Sequence, residues 1–188
     1  MSNLAVYCMT LLVTLSPPDP AKHRPPPGWH ETLEQRVERY QGIAADVAAV
    51  ARTRVEAAVL LGVAWHESGF ARDVDLGPCY QGPGFKGRCD GGRAVGMWQI
   101  QEANREKRDL WRQNRREAAR EAWRRILMSR ASCAKNVPDE VLALYASGNC
   151  SSRHGRVAAR SLDHAIRRAL LVRHDDVRHD DDARGAAR

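Results

Sequence analysis

The sequence predicts a single all-α domain. Three observations carry that reading. Apolar residues recur at three- and four-residue steps along the middle of the chain, a capping signal and a glycine bracket one such run, and 188 residues with 43% hydrophobic content suffice for one core rather than two.

The opening MSNLAVYCMTLLVTLS is apolar from Leu4 to Leu15. It is too short for a spanning helix, which needs ~20 residues, and is close to a signal-peptide core, although it has no early Lys or Arg and no A-x-A site. Residues 1–16 are therefore expected to be an export signal or short anchor, with weak membrane association through the N-terminus. Residues 17–28 follow as a linker, because Pro17, Pro18, Pro20, Pro25, Pro26 and Pro27 forbid helix and favour an extended tether. The folded domain is expected over residues 29–173. Residues 174–188 mix both charges around one apolar residue larger than alanine, Val177, and read as a solvated tail; His174 and His179 beside the Asp run belong to that tail rather than to a metal site.

Within the domain, Leu33, Val37, Tyr40, Ile43 or Ala44, Val47 and Val50 form one helical stripe. Thr53 and Glu56 then make a capping-box pattern, from which a second helix runs to about Ser68, with Gly69 placed to end it in a left-handed conformation. The polar stretch after Asn104 reads as a loop leading to a helix from about Asn114. That helix turns Ala118, Ala119, Ala122, Trp123, Ile126 and Leu127 inward and an Arg-rich face outward. A last helix, Val157 to Val172, carries Val157, Leu162, Ile166, Ala169 and Leu170.

Glu67 stands out on the second helix. Val59, Leu60, Val63 and Ala64 lie seven, eight, three and four positions before it and share its face, so its carboxyl leaves an apolar stripe at the helix C-terminus. Burial and the negative end of the helix dipole both disfavour the ionised form. A carboxyl held protonated in this way suits donation of a proton to a leaving oxygen. His66 projects about 100 degrees away on the helix and is expected behind the site or on the surface.

Three segments, HESGF at 66–70, AVGMWQI at 94–100 and ALYASGN at 143–149, fall in one order. Together they resemble the lysozyme-like domain of lytic transglycosylases and goose-type lysozymes, marked by a Glu-Ser pair ending a helix, a Gly-x-x-Gln segment and a Tyr-Asn-x-Gly segment. The resemblance covers about residues 55–160. It implies a mainly α, lysozyme-like fold with Glu67 as catalytic acid and base and Ser68 as its support. It also implies sugar contacts from Gly96, Met97 and Gln99, and a Tyr145 hydroxyl near the carboxylate. One position departs: the Asn after the tyrosine is Ala146 here, a polar contact missing unless Asn149 replaces it. The SGN ending is similar to that of the specialised transglycosylases that open the wall for secretion systems.

Beyond Cys8, the cysteines are Cys79, Cys89, Cys133 and Cys150, which allow three pairings. Short-loop closure beside the motifs favours Cys79 with Cys89 and Cys133 with Cys150, at about 3 kcal/mol each. The first would staple the glycine-rich CYQGPGFKGRC loop as part of a cleft wall. Zinc is not expected, since neither a C-x-x-C pair nor H-E-x-x-H occurs, and no cofactor is implied.

A net charge of +7 and a basic set made mostly of Arg point to an acidic partner. The resemblance selects peptidoglycan glycan strands over nucleic acid, for a monomeric enzyme in the periplasm or secreted, of bacterial or phage origin. It implies cleavage of the β-1,4 bond between N-acetylmuramic acid and N-acetylglucosamine, with the substrate acetamido group assisting in place of a second carboxylate and a 1,6-anhydro product. Asp73, Asp75 and Asp90 are the acids near enough in sequence to approach the cleft. The alternatives are a hydrolytic muramidase, a non-catalytic wall-binding or structural protein, and a basic nucleic-acid binder.

Overall fold

The computed structural model describes residues 2–17, 28–76, 93–135 and 140–172. The chain is mainly helical, in agreement with the all-α expectation. The Cys79 and Cys89 loop, Asp90, most of the Pro-rich stretch and the C-terminal tail lie outside the described residues.

Helix α1 (Asn3–Leu15) begins at Ser2, whose Oγ accepts from the Ala5 N–H at 3.2 Å. The segment expected as an export signal or anchor packs as a helix into the main core, with Cys8, Leu11 and Leu12 fully buried. The Tyr40 hydroxyl donates to the Ser16 carbonyl at 3.1 Å, fastening the end of α1 to α2 (Leu33–Ala48). Among the described residues no helix is long and apolar enough to cross a membrane.

Helix α2 starts with a reciprocal box that the sequence reading missed: Gln35 N–H donates to Thr32 Oγ1 and Thr32 N–H donates to Gln35 Oε1. Tyr40, Ile43, Ala44 and Val47 are buried as expected, whereas Leu33 is half exposed at the helix start. Helix α3 (Arg54–Ser68) runs between the predicted ends. Its cap is half the expected box. Thr53 Oγ1 accepts from Glu56 N–H, but the Glu56 carboxylate takes the Arg52 N–H at 2.7 Å. Every residue from Ala57 to Ala64 is buried, so α3 is sealed all round by its neighbours. Gly69 stops it at φ 58°, its N–H donating to the Trp65 carbonyl at 2.8 Å.

A short helix, α4 (Arg72–Asp75), ends on a buried ion cluster. Arg115 grips both oxygens of Asp75 at 2.8 and 2.9 Å, and Arg39 reaches the same carboxylate at 3.3 Å while holding Glu31. Arg115 also donates to Asp46 at 3.1 Å. The cluster thus ties α4, α2 and the start of α6 (Arg115–Cys133) together, and leaving any one of these charges unmatched would be costly.

Strands β1 (Ala94–Val95) and β2 (Ile100–Gln101) form a small antiparallel hairpin. The stretch read as a loop is instead helix α5 (Arg105–Gln113), capped by Asn104 and burying Trp111; Asn114 closes it and caps α6 in turn. On α6 the inward face is Ala118, Ala119, Ala122, Ile126, Ser129 and Cys133, while Leu127 is about half exposed, against expectation. Helices α7 (Ala143–Ser147) and α8 (Arg153–Leu170) complete the described chain. Leu162, Ile166 and Ala169 of α8 are buried, whereas Val157 and Leu170, placed on the same stripe by the sequence, are exposed.

Two glycines fix how closely α8 approaches. A Cβ on Gly62 of α3 would lie 2.8 Å from the Ile166 Cα, and one on Gly155 would meet the Ser147 side chain. At Gly62 the obstacle is backbone that cannot rotate away. Gly62→Ala is expected to destabilise the fold by about 1 to 3 kcal/mol, read as a fall of several degrees in the thermal midpoint; an unchanged midpoint would mean that α3 and α8 are not in contact there.

Candidate active site

Helix α3 delivers Glu67 in its last turn, where the sealed face meets solvent. The Glu67 side chain is 22% exposed and its Oε1 lies 3.5 Å from His66 Nδ1. Ser68 does not line the cavity beside it. Its Oγ donates to the Ala64 carbonyl at 2.7 Å and accepts from Phe70 N–H at 3.1 Å, so it secures the turn that follows Glu67. Phe70 is held there with φ 56° and packs edge-on against Tyr40.

The hairpin supplies the next wall. Gly96 adopts φ 64° and Gln99 φ 47°, and the Gly96 carbonyl accepts from both the backbone and side-chain N–H groups of Gln99, at 3.0 and 2.9 Å. The Gln99 side-chain nitrogen is thus committed to the Gly96 carbonyl, and Gln99 lines the cavity. Trp98 anchors the turn: its ring is fully buried and Nε1 donates to the Leu60 carbonyl of α3 at 2.9 Å. Met97 is likewise fully buried in the core, a correction to its expected place in the cleft; the turn points it inward beside Trp98.

Tyr145 closes the arrangement from α7. Its hydroxyl donates to the Trp98 carbonyl at 2.7 Å, so one tryptophan bridges α3 on one side and the tyrosine on the other. Desolvation, reinforced by the nearby Glu67 charge, holds that hydroxyl protonated well above the ordinary phenol range. Ser129 of α6 positions the tyrosine backbone: its Oγ accepts from Tyr145 N–H at 3.0 Å and donates to the Val141 carbonyl at 2.8 Å. The predicted Cys133–Cys150 disulfide is present, with Cα atoms 5.3 Å apart, and joins the end of α6 to the segment just after α7.

Of these residues, Glu67, Gln99 and Tyr145 line a cavity of about 550 Å³ together with Ala146, Arg124 and Arg125, whereas Gly96, expected as a sugar contact, is not in the lining. Among the described residues lining it, Glu67 is the sole acid. Ala146 occupies the wall without a polar atom to offer beyond its backbone. Asn149 does not replace it; it is exposed, outside the lining, and its side-chain oxygen caps Ser151 N–H at 2.7 Å. Asp75 is spent in the ion cluster and Asp73 is fully buried, and neither lines the cavity. A second groove at the same helix end is lined by Trp65, His66 and residues of α8; His66 lies outside the Glu67 cavity lining, yet its Nδ1 turns toward the Glu67 carboxylate rather than away from it.

No family model, characterised protein or solved structure matches this chain. The site therefore stands on its own geometry. Gln101, Arg124, Arg125, Met128 and Leu144 also line the cavity, and sequence reasoning missed them. The one available signal was Arg124 and Met128 four apart, on a helix face beside the inward Ser129. The candidate metal ligands of the sequence reading fall in the tail; among the described residues no cluster of three or more His, Cys, Asp or Glu has metal-holding geometry.

Tyr145→Phe is expected to leave the Trp98 carbonyl without its donor and to cost about 0.5 to 1.5 kcal/mol in denaturant unfolding. In difference ultraviolet titration the wild-type protein should carry one tyrosine more than the variant that stays neutral above pH 10. A wild-type and variant pair that differ by a tyrosine ionising normally would contradict the buried, carboxylate-flanked hydroxyl.

Proposed function

We propose that this protein is a peptidoglycan lytic transglycosylase that acts in an oxidising envelope compartment, periplasmic or secreted. The observation that carries the reading is the convergence of Glu67, Gln99 and Tyr145 on one cavity, from three segments far apart in sequence. The Cys133–Cys150 bond supports the compartment, since such bonds persist where thiols are oxidised.

In the proposed reaction a glycan strand lies in the cavity with the bond between N-acetylmuramic acid and N-acetylglucosamine at Glu67. Protonated Glu67 donates to the glycosidic oxygen as the bond breaks. The acetamido oxygen of the muramic residue bonds to its own anomeric carbon, stabilising the positive charge. Ionised Glu67 then takes the proton from the 6-hydroxyl, whose oxygen displaces the acetamido group and closes the 1,6-anhydro ring. Glu67 ends protonated as it began. Ordinary glycosidases use two carboxylates, ~5 to 9.5 Å apart. The commitment of Asp75 to Arg115 and Arg39 favours the one-carboxylate route over that pair. Gln99 offers a sugar hydroxyl an acceptor, and Tyr145 supplies a fixed polar wall beside the acid. The absence of a side-chain amide at Ala146 leaves one sugar contact to backbone atoms.

Glu67→Gln is expected to reduce fragment release from isolated peptidoglycan by at least about a thousandfold while the protein stays folded. Mass analysis of wild-type products should find ends lighter by one water than hydrolytic ends. Hydrolytic ends would make the protein a muramidase, equal release by both proteins would remove Glu67 from the chemistry, and no release by either would favour a wall-binding role.

A further inference from the structure

Two arginines of α6 line the cavity, and their surroundings differ. Arg125 is committed to the protein at each guanidinium nitrogen. Its Nε donates to Glu121 at 2.7 Å and its Nη1 to the Gln101 carbonyl at 2.6 Å, Nη2 lies 3.4 Å from Glu102, and the group sits over the Trp111 ring. Arg124 is gripped along one edge, where Nε and Nη2 each donate to an oxygen of Glu121 at 2.7 Å. The hydrogen bond from Arg124 holds the Glu121 carboxyl below the ordinary carboxylate range, so the grip stays ionic. The remaining nitrogen, Nη1, has a thioether for company: Met128 Sδ at 3.8 Å, a weak acceptor. The Arg124 side chain is 59% exposed against 24% for Arg125.

An Arg–Glu pair three apart on a helix is ordinary. Here, however, the pair orients a planar fork at the rim of a cavity and leaves a donor on it that an oxygen anion would satisfy better than sulfur does. With Arg125 committed to the protein, Arg124 is the cation at the cavity left with a donor to offer, so an anionic group on the ligand is favoured at its end. Met128 beside Nη1 offers apolar surface to carbon atoms flanking such a group.

We propose that Arg124 is a specificity-determining residue that binds a carboxylate carried as a substituent on the glycan, which selects acid-bearing strands over neutral ones. This rests on the glycan-cleaving reading above and deepens it. Muramic acid fits the requirement through its lactyl carboxylate or the carboxylates of an attached peptide; an unsubstituted polymer of N-acetylglucosamine does not.

The test reads binding on the full-length Glu67→Gln protein, so that its result is separate from whether the wild type cleaves anything. Fluorescently labelled soluble peptidoglycan strands are compared with the same strands after their carboxylates are converted to primary amides. The Glu67→Gln protein is expected to bind native strands about fivefold more tightly than amidated ones at low salt, the scale of one partly exposed ion pair. Adding Arg124→Ala should bring that ratio to about one, and Arg124→Lys should keep part of it; circular dichroism checks that each variant is folded. A ratio near one in the parent protein, or a ratio that survives Arg124→Ala, overturns the proposal.

Discussion

A helix enclosed on every side can present a polar group only at its ends, and α3 imposes that constraint on the whole molecule. Eight consecutive buried residues, Ala57 to Ala64, leave its middle no contact with water. The enclosure requires close neighbours, and Gly62 makes the approach of α8 possible by presenting no side chain to the Ile166 backbone. The final turn is then where the chain emerges from the core, and Glu67 sits there. Gly69 and the Ser68 hydroxyl stop the helix immediately afterwards, so the carboxylate occupies a boundary fixed by backbone geometry.

Around that boundary, polar groups are divided between holding the scaffold and facing the cavity. Asp75, Arg39, Arg115 and Glu31 satisfy one another beneath the surface, as buried charges must. Trp98 spends its ring nitrogen on α3 and its carbonyl on Tyr145, making it the joint between the hairpin and α7. Gln99 is held left-handed by the turn, a conformation that costs a non-glycine residue free energy and persists only when the surroundings fix it. Two hydrogen bonds to the Gly96 carbonyl are part of that fixing.

Much of this was legible in the sequence because it depends on local rules. The span of α3, its left-handed stop at Gly69 and the carboxylate on the buried stripe follow from periodicity and capping alone. The resemblance named Gln99 and Tyr145, and the geometry brings both to the cavity with Glu67. Helix α5 was illegible because only Leu110 and Trp111 are large and apolar in it, and its existence depends on the Asn104 cap and on one buried ring. Met97 was misplaced because an apolar residue in a motif does not say which way a four-residue turn will point it. Asn149 was misassigned because a short polar side chain near a helix end satisfies its own backbone more readily than a distant ligand. Ser129 carried no local mark, and Arg124 only its four-residue spacing to Met128. Their roles arise from contacts between elements, which no single window of sequence contains.

The disulfide has an asymmetric bearing on the groove. Glu67 and Gln99 are carried by α3 and the hairpin, which join through Trp98 and do not include either sulfur. Tyr145 is carried by the span between Cys133 and Cys150, which also packs on the core and is bonded through Ser129 and the tyrosine hydroxyl. A reductant would therefore slacken one bank and spare the other: the proton-transfer group would keep its footing while the tyrosine opposite lost a covalent tie, so shape would yield before chemistry does.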